Sequence, residues 1–180
     1  MNLKNKLGVV VVMTTSTLFF YMEIKMTILS IDQATHLGWA VWKNGSLDSY
    51  GDKNFSNYKF DCNIKLNKIK HFVNKLIDEF KPELIVVEGI QYQSNQFTYA
   101  QLARLQGLLI DLCVEGNYLY EVVPPSTWRT IGIKGRKRVE QKKSSVQFVK
   151  DNFGLDVNDD VADAINMGFY ALKNIEVKQK

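Results

Sequence analysis

The chain of 180 residues is one domain's worth of sequence, and its 46% hydrophobic and 23% charged content exclude wholesale disorder and a polytopic membrane protein. Its formal net charge of +4 is too small to imply a nucleic-acid partner by itself, so the placement of the basic residues carries that question. Cys62 and Cys113 lie far apart without metal-ligand spacing and read as reduced packing residues of a cytoplasmic protein.

Residues 1–25 do not match the rest. Lys4 and Lys6 precede an apolar stretch broken by Thr14, Thr15, Ser16 and Thr17, with no small-residue cleavage site and less than the ~20 residues a membrane helix needs. With Met26 just ahead of a strong strand signal, this stretch reads as an over-extended start rather than a membrane anchor, and the working domain as residues 26–180.

The working domain opens with Thr27 to Gln33, a short run rich in Ile and Leu that reads as a buried strand and carries Asp32 at its far end. A carboxylate there is costly to bury unless a cation or hydrogen-bond donors meet it. Leu37 to Trp42 and Leu47 to Gly51 are strand-like runs joined through Asn44-Gly45, a hairpin signal because both residues tolerate positive φ. Three sequential antiparallel strands are expected. From Asn63, apolar residues recur at helical spacing through Ile69, Val73 and Ile77 until Pro82. His71 falls among lysines off that stripe and reads as a surface residue.

Leu84 to Glu88 repeats the first motif, a continuous apolar run closed by an acid. A helix separates it from the opening strands, so it can pair parallel with the Asp32 strand, and both acids then reach the same rim. A loop with Tyr92 and Phe97 leads into a helix from about Tyr99 to Glu115, where Gly107 suggests close packing, with a second subunit as one candidate. Tyr118 to Val123 is a fifth strand ended by Pro124 and Pro125, followed by a helical turn over Ser126 to Ile131. Lys134, Arg136, Lys137 and Arg138, then Lys142 and Lys143, form the densest positive charge in the chain. Charge runs are usually solvated faces, but this one sits in a glycine-containing loop of a near-neutral protein and reads as a phosphate contact. A helix through Val139, Val146 and Val149 stops at Gly154. In the last helix Asn158 is the expected N-cap, the macrodipole accounts for Asp159 and Asp160, and Asp160 and Asp163 share a face.

Asp32, Glu88, Asp160 and Asp163 gathered at one rim would repel one another unless a cation were present. Mg²⁺ suits such carboxylates, and two ions about 4 Å apart can align the attacking water and leaving oxygen of a phosphodiester. No histidine or cysteine set suits zinc, and no phosphate-binding glycine loop or Ser/His/Asp arrangement is visible. The chemistry expected is hydrolysis of a nucleic-acid backbone.

The order Ile-Asp-Gln-Ala-Thr-x-x-Gly-Trp-Ala, Ile-Val-Val-Glu-Gly and Asp160-x-x-Asp163-Ala resembles the RuvC-type Holliday-junction resolvases of the ribonuclease H-like superfamily, over Thr27 to about Leu172. The resemblance implies an α/β fold with a five-stranded mixed sheet, three antiparallel opening strands then two parallel ones, and helices on both faces. It also implies a homodimer that nicks four-way DNA junctions symmetrically with Mg²⁺ or Mn²⁺, two ions per site. Asp32, Glu88, Asp160 and Asp163 match the metal-binding acids. Arg129 matches a DNA-contacting lysine of relatives, and Lys143 the catalytically supportive lysine, with Lys142 beside it fitting nearly as well. Gln33-Ala34 replaces the common Pro-Gly, as in phage-type members, and Gln91 replaces a wedge Phe, which leaves Tyr92 as the aromatic for opening the junction. Rival readings are an actin-like nucleotide-binding fold, which needs two copies of the domain, a YqgF-like or other nuclease acting on RNA or flaps, and a non-catalytic junction-binding protein.

Overall fold

The computed structural model describes residues 7–14, 17–24, 26–58, 62–91 and 95–174. Ahead of Met26, β1 (Leu7–Thr14) and β2 (Thr17–Ile24) pair antiparallel as a two-stranded sheet of their own. Among the described residues no helix is long and apolar enough to cross a membrane.

The main sheet is built from β3 (Thr27–Asp32), β4 (His36–Lys43), β5 (Ser46–Asn54), β6 (Leu84–Glu88) and β7 (Leu119–Val123). Its spatial order is β5-β4-β3-β6-β7, with β3, β4 and β5 antiparallel and β6 and β7 parallel to β3, as the sequence pattern leads one to expect. Asn44 (φ 50°) and Gly45 (φ 82°) make the tight turn between β4 and β5. Helix α1 (Cys62–Phe80) crosses from β5 to β6, and α2 (Gln96–Glu115) from β6 to β7. The short α3 (Pro125–Trp128), α4 (Arg138–Phe153) and α5 (Asp159–Asn174) complete the chain.

Strand alternation divides the core in two. Leu29, Ile31, Ile85 and Val87 pack under α1 and α2 with Ile69, Ile77, Leu105 and Leu109. Ile28, Ala40, Trp42, Leu84 and Val86 face the other way, against Trp128, Val149 and the small and apolar side of α5. By the same alternation Asp32 continues the row of Ile28 and Ser30, and Glu88 the row of Leu84 and Val86, so both acids fall on the α5 side.

Helix α5 lies unusually close to the sheet because two glycines make room. A Cβ on Gly38 would come within 2.0 Å of the Asp160 carbonyl oxygen, and one on Gly168 within 2.4 Å of Trp42 Nε1. Ser30 fastens the contact: its Oγ donates to the Ala164 carbonyl at 2.8 Å, which satisfies a hydroxyl in the middle of a core strand.

One expectation is corrected, and another is narrowed to a partner outside the chain. Helix α2 begins at Gln96 rather than near Tyr99, because Asn95 caps it: the side-chain oxygen accepts the N–H groups of Phe97 and Thr98, both at 3.1 Å. Gly107 makes no close packing within the chain, since a Cβ there would meet nothing within 4 Å.

Candidate active site

The carboxyl ends of β3 and β6 lie side by side, with Ile31 opposite Val87 in the parallel ladder, and this sets Asp32 next to Glu88. Asp32 is only 8% exposed. Its carboxyl is raised well above the usual carboxylate range, first by burial and then by the charges of Glu88, Asp163 and Asp160. Glu88 is also raised by burial, against the pull of the Trp128 hydrogen bond, the Arg129 charge, a hydrogen bond with Asp32 and the Arg138 charge. Trp128 Nε1 donates to Glu88 Oε1 at 3.1 Å, so an indole from the α3 turn orients the second acid. Gln33 is buried just beyond Asp32, and its Nε2 donates to the Glu88 backbone carbonyl, tying the ends of β3 and β6 together.

Helix α5 brings the other two acids. Asn158 caps it by accepting the Val161 N–H at 2.9 Å, as its sequence position suggests. Asp163 is 7% exposed. Burial pushes it up to about 6, and Glu88 adds to that, while the Ser145 hydrogen bond and the charges of Arg129 and Lys142 oppose it. Ser145 Oγ donates to Asp163 Oδ1, and Asn166 Nδ2 in turn donates to Ser145 Oγ at 2.8 Å and to its carbonyl at 3.1 Å. The fourth acid, Asp160, is held differently: His36 Nδ1 lies 2.8 Å from its Oδ2 and Lys142 Nζ 3.8 Å from its Oδ1.

The cations divide into those at the acids and those facing solvent. Lys142 pairs with Asp159 and reaches Asp160, whereas Lys143, its neighbour, is exposed. Arg129 is half-buried, donating from Nη1 to Gln141 Oε1 at 3.1 Å with its guanidinium 4.9 Å from the centre of the Trp128 ring. Lys134, Arg136, Lys137 and Arg138 are exposed on a loop whose backbone is pinned to α4. The Lys134 N–H donates to Ser144 Oγ at 2.8 Å, and those of Arg136 and Lys137 to Glu140 Oε2 at 2.9 and 3.2 Å. Gly135 (φ 129°) is required there, because its positive φ disfavours other residues and a Cβ would lie 2.7 Å from Glu140 Cβ. Tyr92 lies outside the described residues. His71 is exposed, as its place among lysines implies.

Sequence reasoning passed over His36, Gln33, Trp128 and Ser145. The signal for His36 was its place two residues before Gly38 on the strand face that meets α5. For Ser145 it was the three-residue step from Lys142 on α4.

The donor chemistry decides which cofactor the acids fit. Among the described residues no three His, Cys, Asp or Glu side chains are gathered tightly enough to hold a metal ion as they stand. The inner carboxyls are nevertheless all oxygen donors whose charged forms burial disfavours, with neighbouring acids adding to that at Asp32 and Asp163, and a hard divalent cation relieves it. Mg²⁺ or Mn²⁺ therefore fits the set.

No family model matches the chain. It is similar to the crossover junction endodeoxyribonuclease RuvC of Rickettsia akari, with 28% identity over 151 residues that cover 80% of this chain and 95% of that one. The RuvC of Rickettsia conorii is 26% identical over 152 residues, covering 82% and 97%. Among solved structures, Thermus thermophilus RuvC in complex with a Holliday junction substrate matches with a TM-score of 0.67 at 18% identity, covering 83% of this chain and 96% of that one. Fowlpox virus resolvase bound to Holliday junction DNA matches with a TM-score of 0.56 at 16% identity, covering 82% and 97%. The chain thus resembles the RuvC-type resolvases in sequence, and its fold is that of these ribonuclease H-like proteins.

Proposed function

We propose that this chain is a junction-resolving endonuclease of the RuvC type, which cuts four-way DNA junctions by metal-dependent phosphodiester hydrolysis and works as a homodimer. One observation carries the reading: the buried Asp32 and Asp163 and the half-buried Glu88 converge, all with raised pKa, on one rim of the sheet in a chain similar to RuvC over four-fifths of its length. Carboxyl groups in that state destabilise the fold around them and suit a task that brings a divalent cation.

Asp32, Glu88, Asp160 and Asp163 would hold Mg²⁺, with Mn²⁺ as a substitute and two ions per site. Such ions would supply Lewis-acid activation of water and charge neutralisation at the leaving oxygen. The protein's own part is orientation. Trp128 fixes one oxygen of Glu88, Ser145 fixes one of Asp163, and Gln33 holds the ends of the two acid-bearing strands in register. Lys142, at the rim beside Asp160, is the supportive lysine on geometric grounds, and Lys143 joins the outward cations. Lys134, Arg136, Lys137 and Arg138 on the pinned loop, with Arg129 nearer the acids, would bind phosphates along the strand, and Tyr92 is the aromatic assigned to opening the junction.

The homodimer is supported by α2. Ala103, Gly107, Ile110 and Val114 recur at helical spacing away from the buried Leu105 and Leu109, and Val114 is 62% exposed. The open space at Gly107 is what a second copy of the helix could fill at close range.

The test is cleavage of an end-labelled four-way junction beside linear duplex, flap and RNA–DNA hybrid substrates, with Mg²⁺ and with chelator. Paired symmetric nicks confined to the junction, and lost in chelator, are expected. Cleavage of flaps or hybrids instead would replace the substrate, and junction binding without cleavage in any divalent metal would overturn the nuclease assignment.

A further inference from the structure

The site contains a brace that the metal-ligand reading does not use, although its meaning rests on that reading's assignment of Asp160. The first turn of α5 lies directly on β4 because Gly38 has no Cβ to meet the Asp160 carbonyl. His36 is two residues before Gly38 and so on the same face of β4. Its Nδ1 stands 2.8 Å from Asp160 Oδ2, and its Nε2 stands 2.5 Å from Asp52 Oδ2. Asp52 belongs to β5, directly opposite Gly38 in the antiparallel ladder. The imidazole is therefore held at both ends, between the outer strand of the sheet and the first turn of α5.

We propose that His36, backed by Asp52, is a positioning residue that sets the Asp160 carboxylate for a divalent cation. The 2.8 Å contact with Nδ1 occupies Oδ2 and restrains rotation about the terminal torsion. Oδ1 is left as the oxygen available to a cation, its nearest charge being the more distant Lys142 at 3.8 Å. Asp160 needs such help more than its partners do. Asp32 ends a core strand and is nearly buried, and Asp163 is enclosed by Ser145, but the Asp160 side chain is 16% exposed at a helix start. Partners of this kind behind a metal ligand typically change metal affinity by about 10- to 100-fold. A purely structural clasp between β4 and α5 would change thermal stability and leave affinity for the cation alone.

The test uses the full chain, with Mn²⁺ binding followed by calorimetry, thermal melting in chelator, and junction cleavage in Mg²⁺. His36→Ala is expected to weaken Mn²⁺ binding by about 10-fold or more, and Asp52→Asn by about threefold. His36→Asn keeps an N–H donor close to the position of Nδ1 and is expected to recover most of the affinity. If His36→Ala and Asp52→Asn both bind Mn²⁺ within twofold of the parent while Asp32→Asn loses it, the brace is overturned and the metal site stands. If Asp32→Asn also binds like the parent, the metal-site reading is overturned and the brace with it. Should His36→Ala fail to fold, Asp52→Asn against His36→Asn decides the matter by the same affinities.

Discussion

The acids at the rim fall into two groups that face opposite electrostatic problems. Asp32, Glu88 and Asp163 lie between the sheet, α3 and α5, and burial pushes all three toward the protonated form, with neighbouring acids adding to it at Asp32 and Asp163. Asp159 and Asp160, a few ångströms along the same helix, meet Lys142 and His36 and have their charge answered inside the protein. Acids whose charge is already met give a cation little to relieve, whereas at the inner group Arg129, Arg138 and Lys142 only partly offset the effect of burial. On the proposed reading all four acids are ligands, the inner three gaining most from a cation and Asp160 being the one whose carboxylate the protein itself holds in place.

Asp32→Asn breaks the inner group directly. Cleavage should fall to background while junction binding is kept or strengthened, because a repulsive charge near phosphates is lost; Asp159→Asn should keep the rate within about threefold. Equal rates for Asp32→Asn and the parent in a single-turnover assay would remove the inner acids from the mechanism.

Lys142 and Lys143 sharpen the comparison from the cationic side. Lys142→Met leaves Asp159 and Asp160 without their cation and should lower the cleavage rate by roughly 10- to 100-fold, an effect typical of one supporting group. Lys143→Met should leave the rate of bound junction almost unchanged and flatten the salt dependence of binding by about one unit of slope. The reverse ranking would return the supportive role to Lys143.

Stability against pH reports on the inner group without any substrate. Asp163 ionises near 6 in the folded chain against an ordinary value of 3.8, so the folded state holds its proton over a range where the unfolded state has lost it. Stability therefore falls as pH rises from about 4 to about 6, by roughly 3 kcal/mol for this group, and stays at the lower level above that. The raised Asp32 and Glu88 act in the same direction. In chelator the melting temperature should be higher at pH 5 than at pH 8, and Mg²⁺ should raise it at pH 8 alone. A flat profile in chelator would mean that the inner acids are solvated.

Among the residues that orient the inner acids, Ser145 gives the more modest effect. Ser145→Ala removes the hydroxyl that orients Asp163 and should reduce the cleavage rate by about 10-fold, with roughly 1 to 2 kcal/mol less stability at neutral pH. A rate equal to the parent's would make that hydrogen bond structural only.

Much of this arrangement is legible in one dimension. Two apolar runs each ending in an acid, a hairpin at Asn44-Gly45, and a helical stripe between the runs imply strands with parallel carboxyl ends and a shared rim, because strand period and crossover length are local properties. Other features are not. Nothing local distinguishes Lys142 from Lys143, since both occupy one basic run; their separation depends on which face of α4 meets α5. Gly107 reads as a packing glycine from its place in a helix, yet within the chain it faces open space. Asn95 precedes a mixed polar and aromatic stretch, and a cap there declares itself only through the N–H groups it accepts.

By itself, the order of residues determined the sheet's strand types, the four acids and the location of positive charge, since propensity, alternation and turn chemistry act over a few neighbours. Tertiary structure alone decided how deeply each acid is buried, that Lys142 rather than Lys143 meets Asp159 and Asp160, and that Gly38 and Gly168 let α5 settle on the sheet. Those outcomes depend on distances between separate segments, from Lys142 and Asp159, 17 residues apart, to Ser30 and Ala164, 134 apart, and such distances are set by packing.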